Sequence, residues 1–167
     1  MIAQQCKKPL NFLLVSMAQL DALMSLRVAE DEKHLIAPVS DWLAEASYLP
    51  DAITYGIYEG EIPVGLISLI DPRLIDEDDD KSSFQADCLY LWRVMIDHRQ
   101  RARGYGTAAL HFAMSYARCI GLKGLSLTTM DQEVGNALPF YEGLGFAPTG
   151  RRIDGEIELV FRHTTHA

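Results

Sequence analysis

The chain has 167 residues, 49% of them hydrophobic and 23% charged, and a net charge of −8. That length suits one domain over residues 1–167, able to bury roughly two thirds of its unfolded surface. No apolar run approaches the ~20 residues of a membrane span, the acidic balance disfavours nucleic acid as the main partner, and a cationic small molecule would be drawn by the same field.

Met1 to Lys8 carries two lysines, but the apolar stretch behind it is shorter than a signal-peptide core, so a cytoplasmic location with no membrane partner is expected. Leu10 to Val15 suits an edge strand, and Ser16 caps a helical pattern continued by Leu20, Leu23, Met24 and Leu26. Asp41 to Tyr48 reads as a second short helix stopped by Pro50. Thr54 to Tyr58 and Val64 to Ile70 flank Glu59-Gly60-Glu61-Ile62-Pro63, which predicts a hairpin with Gly60 in its turn. Asp71 to Ser83 is polar and contains the acidic block Asp76-Glu77-Asp78-Asp79-Asp80. Such a block is more often a solvated loop than a substrate clamp, and both readings stay open.

Next comes an apolar run, Leu89 to Ile96, which breaks at Asp97-His98 into Arg99-Gln100-Arg101-Ala102-Arg103-Gly104-Tyr105-Gly106-Thr107. An alanine-rich amphipathic segment follows to about Ile120 and ends at Gly121. The order is strand, glycine loop, helix. A helix starting in such a loop aims unpaired backbone N–H groups and its positive dipole end at one spot, which suits a phosphate, and Arg101 and Arg103 add cationic forks. The strand Leu125 to Thr129, a short helix and one more strand complete the chain. The strand–helix–strand step from Trp92 to Thr128 implies a parallel pair and the hairpin an antiparallel one, so the fold class is α/β with a mixed sheet.

Spacing separates the phosphate-binding readings. A P-loop needs Gly-Lys-Ser/Thr, which is missing, and the dinucleotide fingerprint that Gly104-x-Gly106-x-x-Ala109 formally meets expects an acidic residue where Thr129 stands. Arg101-Ala102-Arg103-Gly104-Tyr105-Gly106 instead resembles the pyrophosphate loop of the GNAT superfamily of acyl-CoA N-acyltransferases, although a turn before an ordinary helix would share so short a motif. Asn136-Ala137-Leu138-Pro139-Phe140-Tyr141-Glu142-Gly143-Leu144-Gly145-Phe146 is similar to the segment closing the acyl-CoA site of that superfamily. The stretches Leu91 to Asp97, Gly104 to Gly106 and Thr149-Gly150 through Gly155-Glu156 are most similar to the bacterial spermine/spermidine N-acetyltransferases.

The resemblance implies a single twisted mixed sheet with helices on both faces, acetyl-CoA as cosubstrate, and a small-molecule amine as acceptor. It places the pyrophosphate on the backbone of Arg101, Arg103, Gly104, Tyr105, Gly106 and Thr107. It further implies that the strand through Arg93, Val94 and Met95 bulges and splays from the strand at Leu125, so that the backbone of Val94 and Ile96 meets the thioester while their side chains stay in the core. Asn136 would both cap a helix and bond the pantetheine arm. Tyr141 stands where the general acid for the departing thiolate is expected, and a phenol of ordinary pKa about 10 can serve a thiol of about 8.5. A buried anchoring tyrosine is the plain alternative.

The general base has no such candidate: the glutamate common in the family on its signature strand, here Leu89 to Ile96, is replaced by Tyr90 and Trp92. A primary ammonium needs about 4 to 5 kcal/mol to deprotonate at pH 7, so water held by Tyr90, Asp87 or Glu156 could relay its proton. Carboxylates close to the reacting nitrogen would keep it protonated, so Glu30, Asp31, Glu32, Glu156, Glu158 and the acidic block are candidates for distal charges of a polyamine. Other amines, among them aminoglycosides, amino acids and protein N-termini, and a CoA-binding sensor without turnover are the rival functions. Exposed sheet edges and the family's habit suggest a homodimer. Cys6, Cys88 and Cys119 show no paired spacing and the histidines are dispersed, with His163 and His166 in a tail expected to fray, so no metal is expected.

Overall fold

The computed structural model describes residues 9–34, 36–77, 79–132 and 134–164. Cys6, Asp78, His166 and the start from Met1 to Lys8 lie outside the described residues. The strands are β1 (Leu10–Leu14), β2 (Ala52–Glu59), β3 (Ile62–Ile70), β4 (Cys88–Ile96), β5 (Gly124–Thr129), β6 (Ala147–Ile153) and β7 (Glu156–Arg162). The helices are α1 (Leu20–Met24), α2 (Val39–Ser47), α3 (Tyr105–Cys119) and α4 (Leu138–Gly143). All seven strands join one sheet in the order β1-β2-β3-β4-β5-β7-β6. Pairing is antiparallel except between β4 and β5, which the crossover through α3 makes parallel.

Each face buries its own core. Ile67 and Leu69 of β3, Leu89 and Leu91 of β4, and Leu125 and Leu127 of β5 pack against Ala109, Leu110, Ala113 and Ala117 of α3. The small alanines let the helix lie close to the sheet, and Leu110 fills the space between. On the other face Leu23 of α1 and Trp42 of α2 pack on Leu66 and Met95. The Trp42 indole N–H donates to Ser68 Oγ at 2.7 Å, and Ser68 Oγ lies 2.6 Å from Thr54 Oγ1, so these three polar groups satisfy one another, whereas the buried Tyr58 hydroxyl of the same core has no partner among the described residues.

A single extra residue in β4 decides how the site forms. Ser68 pairs with Arg93 but Leu69 pairs with Leu91, which leaves Trp92 as a bulge. Before it, Leu89 and Leu91 face α3; after it, Val94 and Ile96 do, while Met95 turns to the α1 and α2 side. Without the bulge the alternation of the strand would drive Arg93 into the core under α3. Arg93 instead pairs with Glu45 of α2 at 2.6 Å and lies 4.3 Å over the Trp92 ring.

Several local expectations change. The helical pattern after Ser16 divides into a 3-10 turn over Met17–Gln19 and an α1 of five residues. There Gln19 Oε1 accepts the Ser16 N–H at 2.7 Å. The single strand expected after the short helix is a hairpin, β6–β7, turned at Asp154 and Gly155, whose φ values are 51° and 89°. His163 does not fray: its N–H donates to Lys123 O at 3.0 Å and its ring meets Phe161 edge-on at 5.5 Å. No helix among the described residues is long and apolar enough to cross a membrane.

Candidate active site

β4 and β5 pair only over Cys88 with Gly124, Leu89 with Leu125 and Tyr90 with Ser126. Beyond that point, at the Trp92 bulge, the strands part, and a cleft of about 1000 Å³ opens between them. Its walls are Trp92 to Ile96, Thr128 to Met130, the loop from Gln100 to Thr107, and residues of α4. The resemblance implied a bulge through Arg93 to Met95 and a splay from the strand at Leu125; the bulge falls one residue earlier, at Trp92, and the strands part only after Ser126. The volume is at the upper end for small-molecule sites, enough for a long extended ligand with a second one beside it.

The glycine loop forms part of the lining. Gly104 caps α3 in the left-handed conformation, φ 81° and ψ 10°. Ala102 shares that conformation with φ 59°, an arrangement costing an L residue on the order of 1–3 kcal/mol. The first helical bond runs from the Ala108 N–H to Gly104 O at 3.0 Å, so the N–H groups of Tyr105, Gly106 and Thr107 precede the helix ladder and stand at the cleft. A Cβ on Gly106 would come within 3.4 Å of the Phe140 ring, which narrows the room there.

The two loop arginines part company. Arg101 lines the cleft and is bound to Glu32, so the pair brings little net charge. The guanidinium holds the Glu32 carboxyl below the usual range. Arg103 points elsewhere: its Nη1 donates to Gln100 Oε1 at 2.7 Å and to the Tyr105 hydroxyl at 3.3 Å, and lies 3.6 Å from Glu59.

Asp97 fixes the approach to this loop, a role the sequence reading did not assign. The side chain is 1% exposed and accepts from Arg99 Nε at 2.8 Å, Arg99 Nη2 at 2.6 Å, and the backbone N–H groups of Arg99 at 2.9 Å and Arg27 at 3.0 Å. The Arg99 guanidinium, helped by those N–H groups, pushes its carboxyl down to about 2. The signal was an aspartate closing an apolar strand with an arginine two positions on.

Tyr141 of α4 also lines the cleft, next to Phe140. Its ring packs against Phe140 and Phe146, with centroids 5.4 and 5.8 Å away. Burial, aided by the negative field of Glu156, pushes its phenol up to about 12. Asn136 does not cap α4, whose N-cap is Ala137; it stands one position earlier, where its Oδ1 accepts the Leu138 N–H at 3.0 Å, and it also lines the cleft. Val94 and Ile96 line it from β4.

The acidic candidates scatter. Asp76, Glu77, Asp79 and Asp80 are exposed and none lines the cleft. The segment behind them is docked, with Gln85 Nε2 donating to Glu158 at 2.8 Å, Arg151 bonding Ser82 O, and Phe84 edge-on to Tyr90 at 5.1 Å. Glu158 is 1% exposed and also accepts from Thr149 Oγ1 at 2.6 Å, so it is not open to a ligand. Asp87 sits at the far end of β4 and is engaged by Arg162 at 2.6 Å, which removes it as a relay. Glu30 pairs with Lys33 at 2.7 Å. Glu156 does reach the cleft, and Tyr90 lies behind it with its hydroxyl 3.2 Å from Thr128 Oγ1. Val28, Ile36 and Pro38 also line it, residues without motif or periodicity to mark them in advance.

Cys88 is buried and Cys119 exposed, both as free thiols, and burial pushes the Cys88 thiol up to about 11. Among the described residues no group of three or more His, Cys, Asp or Glu side chains could hold a metal ion.

Known proteins bear on this geometry. An acetyltransferase from Thermus thermophilus superposes with a TM-score of 0.65 at 16% identity, covering 94% of this chain and 99% of that one. The PaiA N-acetyltransferase of Thermoplasma acidophilum, solved with coenzyme A, gives 0.63 at 14%, covering 93% and 99%. The aminoglycoside acetyltransferase AAC(6')-Ib, also with coenzyme A, gives 0.71 at 13%, covering 92% and 95%. At such identities the likeness is one of fold. No curated protein sequence matches the chain. The sequence model of the acetyltransferase (GNAT) family matches residues 19–146, well over half of the molecule, and the chain belongs to that family.

Proposed function

We propose that this protein is an acetyl-CoA-dependent N-acetyltransferase acting on a primary amine, with polyamines such as spermidine as the acceptor class. The observation that carries the reading is the cleft itself, opened by the Trp92 bulge and lined by both the N-terminus of α3 and the buried Tyr141. Similar folds solved with coenzyme A support it. The net charge of −8 favours a polycationic acceptor.

Bound acetyl-CoA supplies an activated acetyl thioester. The N–H groups of Tyr105, Gly106 and Thr107 receive its pyrophosphate at the positive end of α3, with Arg101 adjoining. The backbone of Val94 and Ile96, without a β5 partner, receives the thioester carbonyl and stabilises negative charge on its oxygen. Asn136 bonds the pantetheine arm. Tyr141 donates its proton to the departing sulfur. A phenol near 12 stays protonated at neutral pH, and because full transfer to a thiolate is uphill, a proton from the amine must replace the one it gives.

Thiol release from acetyl-CoA, measured with spermidine, spermine, putrescine, a monoamine of matched length and an aminoglycoside, tests this reading in the parent and in Tyr141→Phe. The expected result is turnover favouring the polyamines, falling on the order of 10²-fold in the variant with acetyl-CoA affinity within a few fold. Equal turnover would reduce Tyr141 to packing. Absence of turnover with every amine would make the protein a CoA-binding sensor.

A further inference from the structure

Among the described residues two carboxylates line the cleft, Glu32 and Glu156. Arg101 neutralises Glu32. No lysine or arginine among the described residues pairs with Glu156, whereas Glu158 and Asp131 have such partners in Arg151 and Arg152. Glu156 is half-buried at the start of β7, opposite Ile153 across the last hairpin. The groups around it are uncharged or negative: Tyr141 from α4, Tyr90 from β4, Asp154 in the turn, and Glu158 two residues along. The nearby cations are committed elsewhere. Arg152 pairs with Asp131 and donates to Gly155 O at 2.9 Å, and Arg151 lies 3.7 Å from Glu158. A partly desolvated carboxylate without a counter-charge, facing a cleft, is costly unless a cation arrives.

We propose that Glu156 receives the acceptor's reacting ammonium in the cleft and takes its proton before acetyl transfer, which supplies the base that the signature strand lacks. The inference rests on the transferase reading above. A carboxylate beside an ammonium favours the protonated amine, so this transfer is uphill and is drawn forward by attack: the ammonium gives one proton to Glu156, and the freed nitrogen lone pair forms the bond to the acetyl carbon as the carbon–sulfur bond breaks. The sulfur takes the proton of Tyr141, the nitrogen's second proton passes to the Tyr141 oxygen, and Glu156 releases its own to solvent. Products are the amide, the free thiol and one proton. Protonation of Glu156 also removes the negative field that opposes ionisation of Tyr141, so receiving the amine's proton makes the phenol a better acid.

The test measures kcat/KM for spermidine against pH, from about 6 to 9.5, in the parent, Glu156→Gln and Glu156→Asp, with calorimetric acetyl-CoA affinity as the check on folding. In the parent the bound ammonium is deprotonated on the enzyme, so kcat/KM should change little over this range. In Glu156→Gln only free amine reacts. Its kcat/KM should fall on the order of 10²-fold at pH 7 and then climb about tenfold per pH unit. Glu156→Asp should keep the flat profile at reduced height. A Glu156→Gln profile as flat as the parent's, whatever its height, overturns the proposal and leaves the transferase reading standing. If Glu156→Gln loses acetyl-CoA binding, Glu156→Asp decides, and a tenfold climb per unit there overturns it. Absence of thiol release by the parent overturns both.

Discussion

Replacing Asp97 with asparagine should loosen the strand-to-loop junction that presents the N-terminus of α3 to the cleft. The carboxyl is held at about 2 against an ordinary 3.8, a difference equivalent to about 2 kcal/mol of folding stability at neutral pH. Asparagine also turns an amide NH2 toward N–H donors, since Arg99 and Arg27 together offer only donors to this side chain, and one mismatch adds about 1 kcal/mol. Together about 3 kcal/mol is lost, which lowers the melting temperature by about 6–12 °C in a chain of this size. The sign with pH follows from a depressed carboxyl. Its contribution is complete above about pH 4 and disappears as pH falls through about 2, so the gap between parent and variant should narrow on acidification. Thermal unfolding of both proteins at pH 7 and at steps down to pH 3 provides the measurement. Because Asp97 also orders the backbone leading to Arg101, acetyl-CoA affinity should weaken in the folded variant. A variant melting within about 1 °C of the parent, or a gap that ignores pH, would refute this account of the junction.

Gly104→Val places a β-branched side chain at φ 81° at the start of α3, and calorimetry should show acetyl-CoA affinity weaker by at least about tenfold in a protein whose circular dichroism is unchanged. Unchanged affinity would remove the loop from the cofactor site. Gly124→Ala would put a Cβ 2.0 Å from the Phe161 carbonyl oxygen, a backbone atom held in the β5–β7 pairing, and should reduce stability by about 3 kcal/mol or more. An unaltered melting temperature would show that the β5–β7 register yields more readily than its hydrogen bonds imply.

Features governed by neighbours in the chain were legible in the sequence. The hairpin around Gly60, the strand–loop–helix order from Leu89 through Gly104 into α3, and the left-handed cap at Gly104 follow from alternation, helical period and the freedom of glycine. The family resemblance added the bulge and the splay. Charge carried no comparable information about place. The densest acidic block, from Asp76 onward, lies away from the cleft, whereas Glu158 and Asp87, similar in the sequence to Glu156, are consumed by Gln85, Thr149 and Arg162. Likewise Arg101 and Arg103, two residues apart, differ because only one meets Glu32 across the cleft rim.

Residue type and spacing thus determined that a mixed sheet would carry a glycine loop at a helix start and a tyrosine on the short helix after Asn136, because backbone conformation answers to local sequence. Which carboxylate is left without a counter-charge, and that it shares a cleft with Tyr141, depends on partners far along the chain, as in the ion pair of Asp87 with Arg162 and the bond from Gln85 to Glu158. Only the folded chain sets those partnerships, because electrostatic and hydrogen-bond energies fall with distance in space and take no account of separation along the sequence.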